Sequence, residues 1–161
     1  MELLVIGGGG REHAIIRKIK ESPLCGTDYR APGNGGISAD AICCPEVKAT
    51  DIGGAVKLAK EKNVDFVIVA PDDPLAAGMV DALEEAGIPA FGPKKNAAVI
   101  EGSKAFAKDL MKKYGIPTAD YEVFTDAEKA IAYLKEKNSY PAVIKADGLA
   151  LGKGVVVAAT V

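Results

Sequence analysis

Along roughly the first 90 residues one pattern repeats: a short apolar run, a turn containing Gly or Pro, then apolar positions at helical spacing. Leu3-Leu4-Val5-Ile6 reads as a buried strand, four glycines follow, and the stretch from Arg11 to Glu21 sets Ala14, Ile15 and Ile19 on one helical face. A second strand is expected to end near Ala31-Pro32 and a third to cover Ala41 to Cys44. Ile52, Ala55, Val56 and Ala59 restore the helical period, and Val64 to Ala70 form the clearest strand of the chain. Pro74 suits the first position of the next helix, which Gly87 and Pro89 close. Strands alternating with helices predict an α/β fold, a parallel sheet with helices on its faces.

After Phe91-Gly92-Pro93 the rhythm changes. Two helical patterns follow one another, the second running from Ser103 to Tyr114 with Phe106, Leu110 and Tyr114 expected to be buried and Lys112 and Lys113 at its negative end. Gly115-Ile116-Pro117 stops it. Tyr121 to Phe124 is expected to be a strand, and Thr125 with Glu128 predicts a capping box for a helix carrying Ala127, Ala130, Ile131 and Leu134 on its apolar stripe. Pro141 to Lys145 and Val155 to Val161 read as two strands joined by a glycine-rich loop. The expected organisation is a substrate domain over residues 1–93, a helical connection over 94–117, and the start of a second lobe over 118–161. That last piece is short for a domain and ends inside an apolar strand, so the chain is expected to be the front portion of a longer protein.

Composition narrows the class. The 161 residues are 48% hydrophobic and 26% charged, enough to bury a core and too apolar for a disordered chain. Twenty Lys and Arg against 22 Asp and Glu leave a net charge of -2 with no block of one sign, which argues against a nucleic-acid partner. No apolar run approaches the roughly 18 residues of a membrane span, so no membrane partner is expected and the compartment expected is the cytoplasm. Cys25, Cys43 and Cys44 form no C-x-x-C pair, and a single His leaves no zinc-ligand spacing.

Four loops carry candidate chemistry. Gly7-Gly8-Gly9-Gly10-Arg11-Glu12-His13 lies where a strand hands over to a helix, a place where backbone N–H groups and the helix's positive end accept a phosphate or carboxylate. The same glycines also permit close strand-to-helix packing. A dinucleotide fingerprint fails on spacing, because its third glycine falls on Glu12 or His13. Arg11 and His13 are within reach of an anion from the first turn, and His13 reads equally well as a helix-surface residue. Ala31-Pro32-Gly33-Asn34 comes after the second strand, on the same sheet edge, and reads as ligand loop or plain turn. In Pro71-Asp72-Asp73-Pro74, Asp73 is expected to cap the helix, leaving Asp72 for a ribose hydroxyl or an amine. Lys145 to Gly154 departs from a Walker A loop in its spacing and in leading to a Val-rich strand where that loop leads to a helix. It reads instead as a glycine-rich lid between antiparallel strands, with Lys145 offering charge to phosphates.

Taken together, Gly7 to His13, Ala31 to Asn34, Pro71 to Leu75, Glu101-Gly102-Ser103-Lys104 and Ile144 to Val155 resemble the glycinamide ribonucleotide synthetases, also called phosphoribosylamine–glycine ligases, ATP-grasp enzymes of purine biosynthesis. The resemblance implies a Rossmann-like domain of the kind that precedes an ATP-grasp module, with an incomplete ATP-grasp lobe after it. It implies ATP-dependent joining of glycine to 5-phosphoribosylamine through a glycyl phosphate. It also implies an amine-substrate side made of Gly8, Gly9, Gly10, Arg11, Glu12, Pro32, Gly33, Asn34 and Asp72. Lys104, Lys145, Asp147, Gly148, Gly152, Lys153 and Gly154 would attend ATP, with no residue assigned as the catalyst. Mg2+ or Mn2+ would be held by ligands beyond residue 161, in the missing C-terminal part of the same polypeptide, and the stretch alone is expected to be inactive. Gly8 stands where the family usually has Asn, Ala70 where it has Gly, Asp72 where it has Glu, and Leu151 where it has Ala. The alternatives are a sibling ATP-grasp carboxylase or ligase, and a stand-alone nucleotide-binding regulatory module.

Overall fold

A computed structural model describes residues 1–150 and 153–160. The chain divides into two compact units, Met1–Ala98 and Val99–Val161. In the first, β1 (Leu3–Gly7), β2 (Asp28–Pro32), β3 (Ile42–Cys43), β4 (Phe66–Val69) and β5 (Ala90–Phe91) form one parallel sheet in the order β3-β2-β1-β4-β5. Helices α1 (Gly10–Ile19), α2 (Ile52–Glu61), α3 (Asp72–Ala77) and α4 (Met79–Glu85) lie in the connections. The chain winds outward from β1 to β3, then crosses back to place β4 on the other side of β1. Right-handed crossovers therefore send α1 to one face and α2 to the other.

The register shows what each face buries. Leu4 pairs with Tyr29 and Val67, and Ile6 with Ala31 and Val69, so these side chains share a face. They pack with Leu58, Met79, Val80 and Leu83 in the main core. On the opposite face Val5 stands beside Arg30, which is fully buried and ion-paired with Asp28 on the same strand. Arg30 Nη1 also donates to the carbonyl of Tyr29 at 2.6 Å.

Several expectations are corrected at element ends. α1 starts at Gly10, one residue early, and the third strand shrinks to Ile42–Cys43. The helix expected to open at Pro74 opens at Asp72, with Pro71 as its cap, and breaks at the left-handed Gly78 into α3 and α4. Asp73 is thus a first-turn residue and not the cap. Asp72, Asp73 and Pro74 fill one turn because a carboxylate is favourable at a helix's positive end and Pro has no N–H to waste there.

Helix α5 (Lys95–Gly102) straddles the division between the units. The second unit holds α6 (Lys104–Lys113), α7 (Ala127–Lys137) and an antiparallel hairpin of β6 (Ala142–Lys145) and β7 (Val155–Ala158). Among the described residues none beyond Ala98 is buried. Phe106 is 42% and Tyr114 64% exposed, which corrects the expected burial of the α6 stripe: no second apolar layer covers it among the described residues. The expected strand at Tyr121 to Phe124 is irregular; Tyr121 is held instead by its hydroxyl on Asp109 at 2.6 Å, and Phe124 by the ring of Tyr133. Asp126, not Thr125, caps α7, its carboxylate accepting the N–H of Lys129 at 3.0 Å. The carboxylate supplies a stronger acceptor than a hydroxyl at a positive helix end. No helix is long and apolar enough to cross a membrane among the described residues.

Candidate functional site

The strand order reverses between β1 and β4, so the carboxyl edge there is the topological crevice where open parallel sheets take ligands. The first glycine loop enters it from β1. Gly9 caps α1 without a side chain, and Glu12, only 5% exposed, reaches back to accept the Gly9 N–H at 2.6 Å. This is the half of a capping box that a glycine permits. The remaining first-turn N–H groups, from Gly10 to Glu12, have no intrahelical acceptor and face outward from the helix's positive end, the ordinary chemistry of an anion site.

Asn34 staples the second loop to the first. Its Nδ2 donates to the carbonyl of Gly8 at 2.6 Å, while its Oδ1 accepts from the N–H groups of Gly36 and Ile37 at 2.8 and 2.9 Å. Gly33, at φ +76°, makes the turn that brings Asn34 round, and its N–H donates to the carbonyl of Gly7 at 3.3 Å. A Cβ added at Gly8 would sit 2.7 Å from the carbonyl oxygen of Gly33. The two loops thus approach as closely as bare backbone allows, and a side chain at Gly8 would meet the Gly33 carbonyl unless one loop shifted. Pro32 ends β2 beside Gly7.

Arg11 leans toward β4. Its Nη1 lies 3.5 Å from the carbonyl of Ala70 and 3.7 Å from Asp72 Oδ1, both side chains well exposed. The first glycine loop, the Pro32-Gly33-Asn34 turn and Asp72 therefore meet at one edge. His13 finds the oriented partner that the linear chain does not reveal: Asp40 Oδ2 lies 2.8 Å from its Nε2. The His13 hydrogen bond holds the Asp40 carboxyl below the usual aspartate range, with Lys20 helping. Asp40 is the residue missed by sequence reasoning, since it stands 27 positions from His13 in a loop without a motif.

In the second unit, the candidate ATP residues gather at the root of the hairpin. Asp147 accepts from the Ser103 hydroxyl at 3.0 Å and from the Ala105 N–H at 3.1 Å, placing a carboxylate at the start of α6. The Ala105 N–H is the main reason its carboxyl lies below the ordinary range. Lys104 Nζ donates to the carbonyl of Gly148 at 2.6 Å. Lys145 ends β6 opposite Val155, and the Ala146 N–H donates to the carbonyl of Gly154 at 2.8 Å, closing the hairpin base. The Lys153 N–H donates to the carbonyl of Ala150 at 2.8 Å. Gly152 and Leu151 lie outside the described residues. Among the described residues no group of three or more His, Cys, Asp or Glu side chains converges to hold a metal ion.

Comparison with known families decides the kinship. Residues 1–101 match the phosphoribosylglycinamide synthetase N domain, and residues 102–161 match the ATP-grasp (A) domain of the same synthetase. The chain belongs to the phosphoribosylglycinamide synthetase family. Within that family it is 58% identical to a phosphoribosylamine–glycine ligase of Listeria monocytogenes over 98% of this chain and 37% of the relative, and 50% identical to one of Haemophilus influenzae over 99% and 37%. The chain thus spans a little over a third of those relatives. The crystal structure of the phosphoribosylamine–glycine ligase of Thermotoga maritima superposes with a TM-score of 0.77 at 35% identity, covering 99% of this chain and 36% of that one. An N5-carboxyaminoimidazole ribonucleotide synthetase from Thermotoga maritima gives a TM-score of 0.73 at 18% identity over 99% of this chain and 41% of that one, a likeness of fold alone. The family match fits the α/β architecture: a Rossmann-like N-terminal domain and, after it, part of an ATP-grasp lobe.

Proposed function

We propose that this chain is the front part of an ATP-dependent ligase that joins glycine to 5-phosphoribosylamine in purine biosynthesis. The observation that carries the reading is the pair of consecutive family matches running from residue 1 to residue 161 in the order of one enzyme. ATP would transfer its γ-phosphoryl group to a carboxylate oxygen of glycine, releasing ADP. The amine of phosphoribosylamine would then attack the acyl carbon; the C–O bond breaks with its electrons leaving on phosphate, and the nitrogen loses a proton to give the amide. No covalent bond to the enzyme is required, so the protein's work is to orient substrates and neutralise phosphate charge.

In this reading the N–H groups of Gly10, Arg11 and Glu12, with the Arg11 guanidinium, take the anionic part of the amine substrate. Asp72 takes a ribose hydroxyl or the amine. Lys145 and Lys153 face ATP phosphates, Lys104 stands ready on Gly148, and Asp147 fixes the hairpin root. The divalent cation of this chemistry, Mg2+ or Mn2+, neutralises phosphate charge when bound, and its ligands are sought outside residues 1–161. The test is substrate dependence in the complete enzyme. ATP consumption is expected only when glycine and phosphoribosylamine are both present; consumption that needs bicarbonate and ignores glycine would move the assignment to a sibling carboxylase.

A further inference from the structure

His13 is left over by the chemistry above, yet it has a built environment. Its Nε2 donates to Asp40 Oδ2 at 2.8 Å, with both side chains only 30% exposed. On the same carboxylate Lys20 Nζ lies 3.4 Å from Oδ1, and it also donates to the Asp40 backbone carbonyl at 2.8 Å. His13 lies in the first turns of α1 and Lys20 is its C-cap, seven positions on and so on nearly the same side, so Asp40 is gripped at two points along the helix.

Asp40 ends a segment closed by its own hydrogen bonds. Its N–H donates to the carbonyl of Ile37 at 2.8 Å, ending the short 3-10 turn Ile37–Ala39. The Ser38 N–H donates to the Asn34 carbonyl at 3.0 Å, and the Ser38 hydroxyl to the Gly35 carbonyl at 2.7 Å. At the far end Asn34 grips Gly8, where no slack remains between the Gly8 and Gly33 backbones. A tightly bonded segment pinned at both ends transmits a shift at one end to the other.

We propose that Asp40 is a positioning residue: through His13 and Lys20 it sets the seat of residues 33–39 on α1, and with it the Asn34–Gly8 contact that shapes the amine-substrate side. The proposal rests on the ligase reading and assigns specificity for the amine substrate to a residue that does not touch it.

The experiment uses the complete enzyme, with phosphoribosylamine generated from ribose 5-phosphate and ammonia, and reads KM for each substrate, kcat and the thermal midpoint. Asp40→Ala is expected to raise KM for the amine about tenfold, the worth of roughly one charge-assisted hydrogen bond, with KM for glycine and ATP and with kcat unchanged. Asp40→Asn keeps an acceptor for His13 Nε2–H and is expected to recover most of the loss. Combining Asp40→Ala with Asn34→Ala is expected to cost less than the product of the single effects, because both loosen one element. An unmoved amine KM in Asp40→Ala, or equal losses for all three substrates alongside a lowered midpoint, overturns the role of Asp40. Should Asp40→Ala not fold, Asp40→Asn against His13→Ala makes the same comparison. A wild-type enzyme that forms no amide overturns the ligase reading itself.

Discussion

Glu12 and Gly9 close the mouth of α1 on themselves: the buried carboxylate of Glu12 accepts the Gly9 N–H at 2.6 Å. The glycine loop is thereby held in shape by its own helix before any ligand arrives. A side chain that the sequence offered as a substrate contact spends one oxygen on organising the loop.

Removing that acceptor has a defined cost. Glu12→Ala is expected to destabilise the protein by about 1–3 kcal/mol, since it strands a part-buried N–H. Glu12→Gln retains a carbonyl acceptor and is expected to lose less. Denaturant midpoints of the two variants check this, and equal losses would show that the hydrogen bond is not the source.

The pair Asp28 and Arg30 tests the sheet's second face. Arg30 is fully buried, so Asp28→Ala leaves a guanidinium without its carboxylate and is expected to cost about 3–5 kcal/mol. Replacing both partners with apolar residues is expected to cost much less than the single change. Chemical denaturation of the single and double variants measures the difference.

Asp147 gives a pH signature. Its carboxyl lies below the ordinary aspartate range, chiefly through the Ala105 N–H. The folded state thus binds its proton more weakly than the unfolded chain, whose value is about 3.9, so its support is complete above that pH and lost as pH falls through the lower folded value. The Ala105 amide resonance is expected to titrate with a midpoint below about 3.9, and Asp147→Asn is expected to abolish that titration. A midpoint at the unfolded value would contradict the hydrogen bond.

In the proposed reading Lys145, which ends β6, is one of the cations facing ATP phosphates. In the complete enzyme Lys145→Ala is expected to raise KM for ATP by about tenfold or more, with KM for the amine unchanged. Initial rates against ATP concentration decide it, and an unchanged ATP dependence removes Lys145 from the phosphate side.

The apolar runs at Leu3 to Ile6 and Val64 to Ala70 were legible because parallel strands covered on both faces need continuous hydrophobicity, and glycines at positions 7 to 10 mark a strand-to-helix turn by themselves. The loop motifs also carried the family. Cap identities at Asp126 and Pro71 were less legible, because neighbouring residues competed for the same role and only the settled backbone chose between them. The strand expected at Tyr121 to Phe124 failed because hydrogen-bonded strands need a partner edge, which no local pattern guarantees.

By itself the sequence determined the alternation of elements, the parallel sheet and the places where backbone would be bare. Tertiary structure alone decided that β4 lies beside β1, making a crevice, that Asn34 spends its amide on Gly8, and that His13 meets Asp40. The reason is range: periodicity and turn chemistry act over a few neighbouring residues, whereas strand order and the pairing of side chains tens of positions apart are fixed only when the whole core closes.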